Sequence, residues 1–232
     1  MYFDMSYLIL VLPAVLLAMW AQSRVSSAFR KYSGLTSEKG YTGAEVAQAL
    51  LASQGVTDVK IERTAGNLTD HYDPRTRTLR LSEAVHGSRS IAAIGVAAHE
   101  TGHAIQHDTG YVPLGVRNGI FPVVNIGSRL SVPLIILGFF LSGGRGSIGM
   151  MLIQAGIIMF SVVVFFQLVT LPVEFNASAR AIDLLAGYNI LNESELGPAK
   201  KVLNAAALTY VASALVAVTQ LIRFLLLSQR RR

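Results

Sequence analysis

From Ile148 to Leu171 the chain carries no charged residue, and a run of that length can cross the hydrocarbon layer of a bilayer as a helix. Three more apolar segments accompany it: Met5 to Ala21, Ile120 to Leu141, and roughly Val202 to Leu227. Backbone amides in hydrocarbon must find partners inside the protein, so such runs fold as helices rather than as open strands. Composition agrees, because 52% of the 232 residues are hydrophobic and only 15% are charged, which does not fit an ordinary soluble domain. The expected fold class is a mostly α membrane protein with about four transmembrane helices and a small α+β unit.

The chain has no cysteine, which excludes a disulfide framework, a zinc ribbon and a thiol nucleophile and leaves His and carboxylates as metal ligands. A net charge of +6 raises the question of nucleic acid. Much of that charge lies beside apolar segments, including Arg230, Arg231 and Arg232, so the expected partner is the lipid bilayer with its anionic headgroups, and no nucleic acid. Met5 to Ala21 is preceded by Asp4 with no Lys or Arg and followed by Arg24, Arg30 and Lys31, the pattern of an uncleaved anchor with its N-terminus outside. The short SGGRGS stretch at 142–147 joins two apolar segments as an antiparallel transmembrane hairpin, which returns the chain to the face it left. Asn125 and Arg129 interrupt the second segment, where Arg129 either serves a paired role at membrane depth or snorkels at its edge. Arg223 and the terminal arginines leave the last segment either crossing the bilayer or lying in its interface.

The most polar stretch runs from 24 to 112. Thr42 to Gln54 has helical periodicity closed by Gly55 as a C′ cap, Val59 to Glu62 and Thr78 to Leu81 read as short strands around an Asp73-Pro74 turn, and Ser90 to His107 reads as a long helix. The Thr78 to Leu81 strand is either a plain sheet member or an edge that pairs with an extended peptide. By expectation the chain divides into an anchor (1–23), a cytoplasmic α+β part (24–118), a transmembrane hairpin (119–172), a returning cytoplasmic segment (173–201) and a C-terminal apolar helix with a basic tail (202–232).

Inside the long helix lies His99-Glu100-Thr101-Gly102-His103. Successive helical residues turn by about 100°, so histidines four apart stand one above the other on one face and reach one metal ion. Glu100 is placed for the general-base role this H-E-x-x-H pattern has in metalloproteases. A catalytic zinc site takes a third protein ligand. His107 is eight residues from His99, about 12 Å along the axis, too far to share an ion with it in an intact helix, and reads as a polar residue at the helix end. Glu174 emerges from the hairpin on the side of His99, in a helix expected to start near Pro172 with small neighbours Ala177, Ser178 and Ala181; Glu83, Glu193 and Glu195 also fit.

The segments TGAEVAQALL (42–51), GNLTDHYDP (66–74), LRLS (79–82), SIAAIGVAAHETGHAIQH (90–107) and LPVEFNASARA (171–181) resemble the YugP-like neutral zinc metallopeptidases of bacterial membranes, which are distantly similar to gluzincin-type heat-shock membrane proteases and CAAX prenyl endoproteases. That resemblance implies a zincin-like metallopeptidase domain, Zn2+ held by His99, His103 and Glu174, and Glu100 as general base. In the broader gluzincin pattern the position four after the glutamate is often an aspartate that orients the first histidine. Here it is Ser178, a weaker acceptor of an imidazole N–H. His71, Tyr72 and Arg180 are candidates for a donor to the developing oxyanion, or are structural hydrogen-bonding groups.

The expected activity is a membrane-embedded, zinc-dependent endopeptidase acting on a peptide or protein substrate at the cytoplasmic face of the bacterial plasma membrane. The alternative is a non-catalytic membrane adaptor or chaperone-like protein with a structural zinc, although Glu100 is not needed merely to hold metal. The sequence carries no signal for an oligomeric state.

Overall fold

The computed structural model describes residues 5–141 and 147–229; most of the SGGRGS connection with its Arg145, together with Asp4 and Arg230 to Arg232, lies outside the described residues. A π-helical turn, Tyr7–Val11, leads into α1 (Leu12–Ser33), followed by α2 (Gly43–Ser53), β1 (Lys60–Thr64), β2 (His71–Asp73), β3 (Thr78–Ser82), the single turn α3 (Glu83–His86) and α4 (Ile91–Asp108). Three long helices complete it: α5 (Val112–Leu141), α6 (Ser147–Gly187) and α7 (Glu193–Gln229). Two compact units result. A polar unit takes Ala21–Gly115 and Pro172–Thr209, and an apolar unit takes the segment ending at Trp20, Val116–Leu171 and the segment from Tyr210. Each of α1, α5, α6 and α7 contributes to both.

In the polar unit, local signals set the helix ends. Thr42 and Glu45 form a reciprocal capping box at the start of α2. Gly55, at φ 73°, closes that helix, with Val56 N–H reaching back to the Leu51 carbonyl. The Ser90 hydroxyl accepts from Ala93 N–H and so caps α4. Ala92, Ala93, Gly95, Ala97 and Ala98 make α4 thin enough to be buried on several sides. Ile91, Ile94 and Ala98 meet Val46 and Leu50 of α2, Ala181 and Leu185 of α6, and Ala199 and Leu203 of α7, while Ala93 and Ala97 meet Leu79 and Leu81 of β3. The sheet has order β1-β3-β2, with β1 parallel and β2 antiparallel to the central β3.

In the apolar unit, α5 and α6 run antiparallel: Gly127 lies against Met159 and Gly138 against Gly149. A Cβ on Gly138 would stand 2.7 Å from the Gly149 carbonyl oxygen, so the close approach of these helices needs the missing side chain. Ile135, Ile153, Ile157 and Phe224 form the small core of this unit. Arg223, an awkward residue for an apolar segment, lays its guanidinium 5.4 Å from the centre of the Tyr7 ring. Asn125 and Arg129 are exposed on α5. Among the described residues four helices, within Tyr7–Ser33, Val112–Leu141, Ile148–Gly187 and Glu193–Gln229, are long and apolar enough to cross a membrane. The protein is thus a mostly α membrane protein with a small α+β unit.

Three expectations change. No helix restarts at Pro172: α6 runs unbroken from Ser147 to Gly187 with Pro172 inside it, so the missing N–H of one proline does not end the helix. The last helix starts at Glu193 rather than near Val202, its first turn held by Asn192 and Glu195. The stretch around Tyr72 is itself a strand, β2, which makes Thr78 to Ser82 the centre of the sheet and closes it to edge addition.

Candidate metal centre

The histidine pair is set by helix geometry alone. His99 and His103 stand one turn apart on α4, with ring centroids 4.8 Å apart at an interplanar angle of 83°. The third group requires a second helix at close range. Gly102 provides it: a Cβ there would lie 2.7 Å from the Ala177 carbonyl oxygen, so α4 and α6 touch backbone to backbone. Glu174, one turn before Ala177 and buried at 2% exposure, is then aimed at the pair. Its Oε2 lies 3.3 Å from His99 Nε2 and 3.5 Å from His103 Nε2.

Each ring turns Nε2 toward Glu174 and meets a polar side chain with Nδ1 on its far side. His103 Nδ1 lies 3.0 Å from Gln106 Oε1, which only accepts, so Nδ1 carries the proton and Nε2 presents a lone pair. The Gln106 amide is held in that sense because its Nε2 donates to the Val173 carbonyl at 2.8 Å and to Asn176 Oδ1 at 3.0 Å. His99 Nδ1 is 3.1 Å from Ser178 Oγ. His99 Nε2, His103 Nε2 and a Glu174 carboxylate oxygen therefore converge in a nearly dry place, and with each Nε2 unprotonated they offer a cation three lone pairs. Donors each about 2.1 Å from one tetrahedral ion stand about 3.4 Å apart, close to the separations of Glu174 Oε2 from the two Nε2 atoms. The residues fit a zinc ion, and among the described residues they form the one such group of His, Asp and Glu side chains.

Glu100 lies beside this group rather than in it. Burial pushes its carboxyl up to about 7; His99 opposes the shift, and Glu174 and Asp70 add to it. The backbone N–H of Tyr72 donates to the Glu100 carboxylate, so edge strand β2 steadies the group.

Other sequence candidates divide. Ser178 lies at the site through His99. Tyr72 meets Glu100 through its backbone, but its hydroxyl is 2.9 Å from His107 Nδ1 at the end of α4; burial pushes that phenol up to about 12, so it stays protonated. Arg180 Nε donates to Asn176 Oδ1 at 2.9 Å, which places it one link behind Gln106. His71 is exposed, with Nδ1 2.8 Å from the Thr69 carbonyl. Asp70 and Asp73 shape the fold: Asp70 accepts from the amide and hydroxyl of Ser82, and Asp73 pairs with Arg75 and Arg80. Glu195 accepts from the amides of Glu38 and Asn192, while Glu83 and Glu193 are exposed in first helical turns.

Gln106 and Asn176 escaped the sequence reading. A glutamine three residues after His103 is its neighbour on the same helical face, and that spacing was the available signal.

A family model described as "Putative neutral zinc metallopeptidase" matches residues 7–229. The "Putative membrane protease YugP" of Bacillus subtilis (strain 168) is 49% identical over 223 residues, covering 96% of each chain. No solved structure matches.

Proposed function

This chain belongs to the neutral zinc metallopeptidase family whose model spans almost all of it, and on that premise we propose that it is a membrane-embedded zinc endopeptidase. The observation that carries the reading is the convergence of His99 Nε2, His103 Nε2 and Glu174 Oε2 with Glu100 alongside. His99, His103 and Glu174 would hold the ion, and zinc, when bound, supplies Lewis-acid activation of water and carbonyl at neutral pH. Glu100 takes the proton of the attacking water on its carboxylate and returns it to the leaving amine. Tyr72 N–H keeps that carboxylate in place, Ser178 orients His99, and Gln106 orients His103 while tying it to the backbone of α6. Arg180, through Asn176, supports the Gln106 amide. The substrate is a peptide or protein, and the working parts are the 24–118 and 173–201 segments of the chain.

Glu100→Gln tests this reading. The variant should keep zinc and fold yet lose hydrolysis of unfolded membrane and soluble proteins by about two to four orders of magnitude, since an amide cannot accept the proton. Turnover equal to the parent's would sink the mechanism. Inactivity of both on every substrate tried favours the adaptor with a structural zinc.

The site faces the cytoplasm in this reading, because Arg24, Arg30 and Lys31 follow the first apolar span directly. In a chain without cysteine, a membrane-impermeant maleimide applied to intact cells should label Ser147→Cys but neither Lys39→Cys nor Asn192→Cys. Labelling of Lys39→Cys from outside would reverse the assignment.

A further inference from the structure

The side of α4 that meets strand β2 repeats at helical spacing: Ala97, Glu100, Ala104 and His107 are three, four and three residues apart, which puts them on a single stripe. Ala97 and Ala104 are buried in the two clusters on which the Tyr72 ring packs, and their small side chains let β2 lie close to the helix. Glu100 and His107 are the polar members of the stripe, two turns and about 10 Å apart along the axis. A single residue serves both. Tyr72 donates its backbone N–H to the Glu100 carboxylate, and its hydroxyl lies 2.9 Å from His107 Nδ1, with the two ring centroids 5.8 Å apart.

The direction of the second bond follows from the state of the two groups. Burial, helped by Arg77 and opposed by Asp108, holds the His107 imidazole below its ordinary value, and the Tyr72 phenol stays protonated, so Tyr72 donates and neutral His107 accepts. The other ties of β2 run into the sheet instead. The strand is three residues long and lies at the edge, paired with β3; Asp70 before it accepts from Ser82, and Asp73 at its end pairs with Arg80. Those contacts hold β2 to β3. The bond across to His107 is what fixes the Tyr72 amide at its distance from α4. A carboxylate that loses an amide donor is free to swing, and a base displaced even slightly meets its proton badly.

We propose that His107 is a positioning residue for the reaction: through the Tyr72 hydroxyl it pins β2 to α4 and so keeps the Tyr72 amide on the Glu100 carboxylate. The inference rests on Glu100 acting as the general base, and it gives a role to a histidine four residues beyond the ligand His103.

Kinetics and amide exchange on the full-length, zinc-loaded protein in detergent test it, with dye-labelled unfolded casein as substrate. His107→Ala and Tyr72→Phe should each lower kcat about ten- to one-hundredfold, while KM and zinc content stay at the parent's values. The Tyr72 amide should exchange with deuterium about two- to tenfold faster in both, the protection that one hydrogen bond supplies. The double variant should be no slower than the slower single one, because both changes cut the same bond. His107→Asn should recover most of the kcat, since its Oδ1 accepts where Nδ1 does. Parent-like kcat in His107→Ala, or an Asn variant as slow as the Ala variant, would overturn the role. Loss of zinc from His107→Ala would overturn it as well, by showing a merely structural part at the end of α4. Should the parent hydrolyse nothing, the endopeptidase reading fails by itself and exchange at Tyr72 still decides the tether: faster exchange in His107→Ala supports it, and unchanged exchange overturns it.

Discussion

In the polar unit, Leu50, Leu79, Leu81 and Ile94 are completely enclosed, whereas α5 and α6 of the apolar unit turn Phe121, Ile136, Phe140, Ile148 and Ile158 outward at half exposure or more. Water on the outside of the first unit drives its large side chains in, while hydrocarbon around the second removes that drive and leaves close glycine contacts to hold its helices. The metal centre belongs to the enclosed unit. Its ligands need fixed rotamers and dry surroundings, which the tight packing around α4 supplies and a lipid-facing helix surface does not.

If that contrast is right, truncation should be costly in one unit and cheap in the other. Leu50→Ala removes a fully buried side chain from the core that packs on α4 and should cost about 2–5 kcal/mol, read as a fall in the thermal midpoint in detergent. A fall no larger than that from a lipid-facing truncation would break the comparison.

The next effect is smaller and falls on the metal rather than on the fold. Gln106→Ala removes the acceptor that orients His103 and the tie to Val173 and Asn176, and should weaken zinc binding about ten- to one-hundredfold in chelator competition. Ser178→Ala removes a single contact on His99 and should fall at or below the lower end of that range. A larger loss for Ser178→Ala would reverse the order of support assigned here.

Smallest of all should be Ile158→Ala. That side chain is 67% exposed on α6, and a midpoint shift beyond about 0.5 kcal/mol would show that it faces protein rather than lipid.

The parts of this arrangement that the sequence revealed are those decided within one segment. The four apolar spans, the helix carrying His99 and His103 and the Gly55 cap each follow from local spacing. Glu174 was reachable because a short link between two apolar runs argues for antiparallel helices, which α5 and α6 are, and its carboxylate lies beside both imidazoles. Gln106 was not, since its role depends on where Val173 and Asn176 of another helix come to lie. Strand β2 was missed because His71, Tyr72 and Asp73 offer no apolar alternation; its pairing comes from β3 and its place from α4. Continuity through Pro172 was hidden because local propensity argues for a break that α6 does not make.

The central claim is that His99, His103 and Glu174 hold one zinc ion, and the zinc content of the purified protein tests it most directly. The parent should carry about one zinc per chain, Glu174→Ala should lose most of it, and Glu83→Ala and His107→Ala should keep it. Full zinc occupancy in Glu174→Ala, with metal lost instead from Glu83→Ala or His107→Ala, would contradict the account.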